Sequence, residues 1–184
     1  DQQAVLGLIR DRHVIGIAPN QSEIYTSDNV AISTATHQVV RSLPFSAASP
    51  SNGFLASPDG RYLYSRDQVL DVSANTLIAP PLPRDITTGS SWANAAIPGG
   101  PTISADGSTI YAGKPVAKIA VDQRSTSETS INPTHLSDLK LSPDGRLLLV
   151  SSYFQLEAFD TTTLNSVGVV PNADFGGETA FLNN

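Results

Sequence analysis

Aspartates recur along this chain at a spacing that could bring carboxylates together. Asp59, Asp106 and Asp144 each stand before a glycine, in Ser57-Pro58-Asp59-Gly60, Ser104-Ala105-Asp106-Gly107 and Ser142-Pro143-Asp144-Gly145. A second set, Asp71, Asp122 and Asp160, follows later in each copy. Paired carboxylates can carry general acid–base chemistry. A residue repeated in every copy fits scaffold better than catalyst. Pro presets φ, Asp bonds its own backbone, and Gly accepts positive φ. Both sets are therefore read as turn residues.

The histidines are His13, His37 and His135. His13 and His135 fall in equivalent loops about three repeats apart, and His37 falls in a strand segment, so no shared metal is expected. The chain has no cysteine, which excludes disulfides, thiolate metal ligation and thiol catalysis. Pro98-Gly99-Gly100-Pro101 lacks the Lys and following helix of a phosphate loop, and there is no Gly-x-Ser-x-Gly elbow. Asn132-Pro133-Thr134 is not a glycosylation acceptor, because Pro holds its middle position. No catalytic, cofactor-binding or metal-binding residue is assigned.

Recognition has better candidates. Trp92 is the only tryptophan, and it shares a long segment with Arg84 and Asp85. An exposed Trp beside charged residues suits a partner hot spot, whereas a Trp folded back on its own loop would be a plug. Arg10, Asp11, Arg12 and His13 form a small mixed-charge cluster, and Tyr153 and His135 occupy comparable loops. The candidate partner-binding set is thus Trp92, Arg84, Asp85, Arg10, Arg12, His13, Tyr153 and His135.

These residues are positioned by a repeat. Each Asp-Gly turn precedes an apolar strand: Arg61 to Tyr64, Thr109 to Ala112, and Arg146 to Ser151. Ala18-Pro19-Asn20-Gln21-Ser22-Glu23-Ile24-Tyr25 is a weaker copy. The anchors at positions 20, 59, 106 and 144 are separated by 39, 47 and 38 residues. Each unit reads as short strands with turn residues between them, and no long helical period is visible. Periods of about 40 residues with several strands per unit indicate a β-propeller. The expected fold is all-β: about four complete four-stranded blades, with partial blades at both ends. One propeller domain over 1–184 is expected, with units near 14–45, 53–83, 99–132 and 136–171 and partial ones at 1–13 and 177–184. A further step of 40 from Asp144 reaches Asn184, so the chain reads as an internal piece of a longer polypeptide.

Ser-Pro-Asp-Gly-Arg-x-Leu-x-Val, followed by an apolar strand and Phe159-Asp160-Thr161-Thr162-Thr163-Leu164, resembles the YVTN-type propeller repeat. The wider group is the quinoprotein amine dehydrogenase-like seven-bladed propellers, so the resemblance implies a segment of such a ring. The eponymous tetrapeptide is degenerate here, as Tyr25-Thr26-Ser27-Asp28, Tyr64-Ser65-Arg66-Asp67 and Val150-Ser151-Ser152-Tyr153. The Trp-Asp and Gly-His pairs of WD40 repeats are absent. Family members include secreted, periplasmic and surface proteins and subunits of redox enzymes, so fold alone does not assign function. The resemblance also implies that fourth-to-first and second-to-third connections share the usual ligand face. The step of 47 residues marks an insertion there, from Arg84 to Pro98.

Charge and hydropathy narrow the partners. Net charge is −6, and the 11 Lys and Arg are scattered, which argues against nucleic acid. No run of about 18 apolar residues offers a transmembrane helix. The expected function is a non-enzymatic scaffold or protein-interaction propeller, extracytoplasmic by resemblance, partnered by another protein or by further blades. The alternative is the propeller part of an enzyme, either a quinoprotein-like dehydrogenase subunit or a lactonase-like hydrolase.

Overall fold

A computed structural model describes residues 14–46, 54–83, 86, 101–133, 136–152 and 155–171. These residues form four antiparallel four-stranded sheets, with strands adjacent in chain order, and none of them is helical. The first sheet comprises β1 (Val14–Ile17), β2 (Glu23–Thr26), β3 (Val30–Ser33) and β4 (Val39–Ser42). The second comprises β5 (Leu55–Ala56), β6 (Tyr62–Ser65), β7 (Gln68–Asp71) and β8 (Thr76–Leu77). The third comprises β9 (Thr102–Ile103), β10 (Thr109–Ala112), β11 (Ala117–Ala120) and β12 (Ser125–Glu128). The fourth comprises β13 (Leu136–Leu141), β14 (Leu147–Ser152), β15 (Gln155–Asp160) and β16 (Ser166–Pro171).

The turn between first and second strands shows why the aspartates recur. Ser57 Oγ donates to Asp59 Oδ1 at 2.6 Å and accepts from Tyr62 N at 2.8 Å. Asp59 Oδ1 also accepts from Arg61 N at 3.0 Å. Ser104 with Asp106, and Ser142 with Asp144, repeat the same three bonds. Gly60, Gly107 and Gly145 close these turns at φ of 71°, 74° and 71°. In the first sheet Asn20 replaces the aspartate and Gln21 takes the left-handed position at φ 58°.

The turns between third and fourth strands correct two expectations. Asp71 Oδ1 accepts from Ser73 N and Ala74 N, and Asp160 Oδ1 from Thr162 N and Thr163 N. Ser33 Oγ does the same for Ala35 N and Thr36 N. Asp122 makes no such bond: Ala120, paired with Thr109 and Ser125, holds the capping place, two residues before it. His37 is not in a strand but in this turn, with φ 58°, matching Asn75, Arg124 and Leu164 at 52°, 49° and 58°.

The chain divides into two compact units, Asp1–Pro81 and Leu82–Asn184. In the first, β1 lies beside β5, and the core between the sheets contains Tyr25, Ala31, Leu43, Phe45, Leu63 and Leu70. Phe54 stacks on Phe45 at 4.9 Å and meets Tyr25 edge-on at 6.1 Å. In the second unit, β9 lies beside β13, and Tyr111, Val116, Ile131, Leu139, Leu148 and Val150 form the core. The buried residues of the inner strands thus pack between neighbouring sheets, as their apolar runs predict.

Candidate functional site

The second unit contains a groove of about 340 Å³ between the segment after β12 and the hairpin β14–β15. Ile131, Pro133, Val150 and Phe159 give it apolar walls, while Ser130, Asn132, Ser152, Gln155 and Glu157 supply polar atoms. Its volume lies at the lower end of the range for ligand sites, roughly 300–1,000 Å³.

Backbone bonds fix the wall formed by residues 129–131. Thr129 N donates to Val116 O at 3.0 Å, and Val116 N donates to Ile131 O at 2.9 Å. Thr129 Oγ1 donates to Val116 O at 2.7 Å and accepts from Ile131 N at 3.1 Å. The segment is therefore an extension of the third sheet rather than a free loop. Ile131, 3% exposed, anchors it in the core.

The facing wall exists because the fourth hairpin is longer than its counterparts. Strands β6 and β7 have four residues each, whereas β14 and β15 have six. The extra rungs bring in Ser151, Ser152, Gln155 and Leu156. Ser152 Oγ donates to Gln155 O at 3.1 Å, and Gln155 Nε2 donates to Glu157 Oε2 at 3.3 Å. β13 lengthens to match, starting at Leu136, with an irregularity between Leu136 and Asp138. Asp138, with no exposed surface, accepts from Leu139 N at 2.8 Å.

The first unit shows the same position with its acceptor engaged by the preceding segment. Gln68 pairs with Ser65, as Glu157 pairs with Val150, and both partners follow the turn aspartate by six residues. Gln68 Oε1 accepts from Ser46 N at 3.1 Å and from Ser46 Oγ at 3.2 Å. Ser46 belongs to the segment joining the first sheet to the second. The matching segment of the second unit, Ser130 to Pro133, makes no hydrogen bond to Glu157. Among the described residues, the only polar contact of Glu157 is Gln155.

Asp59, Asp71, Asp106, Asp144 and Asp160 are engaged by their own turns. The serine hydroxyl holds the Asp59 and Asp144 carboxyls below their ordinary range, and Ser104 with Ser108 brings Asp106 to about 2. Backbone amides of Ala74 and Thr163 are the main cause of the same shift at Asp71 and Asp160. Such groups stay ionised and bound to their turns at neutral pH. Burial pushes Tyr25 up to about 12, with Glu23 adding to the effect, and burial also raises Tyr111. Glu23 itself is engaged by Arg41 at 2.9 and 2.7 Å.

The candidate partner-binding residues Arg10, Arg12, His13, Arg84, Asp85, Trp92, His135 and Tyr153 lie outside the described residues. Two of them flank the groove in sequence: His135 follows Pro133 by two positions, and Tyr153 follows Ser152. In the turns between second and third strands, Asp28 accepts from the buried Thr26 Oγ1 at 2.6 Å, and Arg66 takes φ 55°. Sequence reading missed the groove itself. Its signal was Glu157, a carboxylate at a strand position that is Gln68 in the second sheet and a fully buried Ala117 in the third. The register also moves the degenerate tetrapeptide of the fourth sheet: Leu149, not Val150, holds the place of Tyr25, Tyr64 and Tyr111.

No protein-family model matches the sequence, and no curated protein matches it. Among solved structures, 367 chains resemble it, so the architecture is widely used and does not by itself assign a role. One is hydrazine synthase of Kuenenia stuttgartiensis, a β-propeller protein, at TM-score 0.59 and 18% identity. The likeness covers 83% of this chain and 47% of that one, so the chain spans about half the length of that neighbour. At this identity the likeness speaks for fold, and together with the four meandering sheets it identifies them as blades of a β-propeller.

Proposed function

We propose that this chain supplies blades of a non-enzymatic, YVTN-type propeller that binds a protein partner through the face carrying the second-to-third and fourth-to-first connections. The observation that carries this reading is the groove between residues 130–133 and the β14–β15 hairpin. One wall is hydrogen-bonded to the third sheet, and the lining mixes polar with apolar side chains, so the groove can both orient and pack a ligand. The carboxylates of Asp59, Asp106 and Asp144 support the same reading, because each is bound to its own turn. The sequence resemblance supports an extracytoplasmic location and further blades in a seven-bladed ring. Arg84, Asp85 and Trp92 in the insertion, with Arg10, Arg12, His13, His135 and Tyr153, are proposed as the rest of the contact surface.

The test is a selection of displayed peptides on the immobilised chain, followed by titration of selected peptides into ¹⁵N-labelled protein. Saturable amide shifts at Ile131, Ser152, Gln155 and Glu157 are expected. Peptides that bind without moving these amides would remove the groove from the reading.

A further inference from the structure

We infer that the groove beside Glu157 receives a basic side chain, lysine or arginine, presented by the protein partner. This deepens the binding function proposed above and rests on it. Three observations converge.

The first is an unneutralised carboxylate. Among the described residues, no cation lies within ion-pair distance of Glu157, and its one polar contact is the neutral Gln155 amide at 3.3 Å. That contact is long for a charge-assisted bond, which ordinarily falls near 2.7–2.9 Å. The carboxylate retains oxygen lone pairs for an outside donor.

The second is the comparison inside the chain. At the matching position Gln68 is consumed by two donors from Ser46, which ties the second sheet to the segment before it. Asn132 holds the place of Ser46 in the second unit, and it is exposed and makes no bond to Glu157. A neutral acceptor with two donors from the preceding segment has been exchanged for a charged acceptor with none from that segment. The exchange leaves the charge lining the groove.

The third is the shape of the chemistry around the carboxylate. Val150, Phe159 and Ile131 line the groove together with polar Ser130, Asn132, Ser152, Gln155 and Glu157. Lys and Arg need this combination: an apolar surface for the methylene stem and an acceptor for the head. An aromatic face adds attraction for the cation. A neutral apolar ligand would leave the carboxylate desolvated, and an anion would be repelled by it and by a chain of net charge −6.

The test uses the ¹⁵N-labelled 184-residue chain and small blocked probes: Nα-acetyl-lysine amide, Nα-acetyl-arginine amide, and Nα-acetyl-norleucine amide as the uncharged match. Saturable shifts at Ile131, Ser152, Gln155 and Glu157 are expected with the two cations and not with norleucine. Glu157→Gln keeps the shape and should weaken the cations about tenfold or more, as loss of a charge-assisted bond does. Asn132→Lys adds a charge on the exposed rim and should weaken them by about threefold to tenfold, an effect that shrinks with salt. The native amide spectrum away from the groove confirms the fold of each variant. Three results overturn the inference: no saturable shift with either cation, equal binding of norleucine, or unchanged binding in Glu157→Gln. If selected peptides without basic residues occupy the groove, this inference fails and the binding reading stands. If no peptide moves these amides, this inference fails and the groove also leaves the binding reading.

Discussion

Gly145 and Gln21 sit at the same point of equivalent turns and pose opposite problems. Gly145 has φ 71°, and a Cβ added there would meet nothing within 4 Å, so a side chain would meet backbone strain alone. Left-handed backbone costs an L-residue about 1–2 kcal/mol, and the stiffer unfolded chain returns part of it. Gly145→Ala should therefore lower stability by about 1 kcal/mol in urea unfolding. Gln21 carries that strain already, at φ 58°, and its side chain is exposed. Gln21→Gly should raise stability by about 0.5–1 kcal/mol, with no change in the strands around it. If both substitutions shift the urea midpoint in the same direction, φ is not the controlling variable at this position. Asp-Gly pairs made the glycine turns legible in the sequence. The same conformation at His37, Asn75, Arg124 and Leu164 was not legible, because these residue types share no preference that a reader could use. It follows from a hairpin connection that requires one left-handed residue whatever side chain occupies it.

At the level of the turn, the repeated Ser-x-Asp unit links stability to acidity. The folded-state pKa of Asp59, Asp71, Asp106, Asp144 and Asp160 lies below the ordinary 3.8, and Asp106 is brought to about 2. A depressed folded value contributes stability that is fully present above the unfolded pKa. That stability is lost as pH falls through the folded value. The acid limb should therefore begin below about pH 4 and extend toward about pH 2. Asp106→Asn should flatten it, since the neutral amide cannot titrate, and Asn20 shows that an Asn can serve such a turn. Urea midpoints measured at intervals through this range would show it, and an acid limb unchanged by Asp106→Asn would refute the assignment. Strand order and turn chemistry were legible because both are local and recur. The long second strand of the fourth sheet was legible as well, expected from Arg146 to Ser151 and found at Leu147–Ser152. Its pairing was not, because the partners of Ser151 and Ser152, Leu156 and Leu136, are set by the neighbouring strands.

At the scale of the molecule, each blade is stabilised mainly by what its two faces meet. The groove was beyond the sequence for this reason. Its walls come from adjacent blades, and whether they touch depends on Gln68 reaching Ser46 in one unit and Glu157 making no equivalent contact in the other. The same logic separates the two faces of β14. Leu148, with no exposed surface, packs with Tyr111, Leu139 and Val150. Leu149 points to the opposite face, in the place where Tyr25, Tyr64 and Tyr111 are at most 3% exposed, and it is only half-buried. Truncating a leucine in a packed core costs about 2–5 kcal/mol, because lost transfer energy and a residual cavity add together. A half-exposed leucine loses fewer contacts, and water fills the space it leaves. Leu148→Ala should therefore cost about 2–5 kcal/mol and Leu149→Ala clearly less, both measured by urea unfolding of the 184-residue chain. Equal losses would mean that another surface covers Leu149 in solution. An additional blade packed against that face, as a larger ring requires, would raise the cost of Leu149→Ala to that of Leu148→Ala. The difference between the two substitutions thus reports how far the fourth blade is covered.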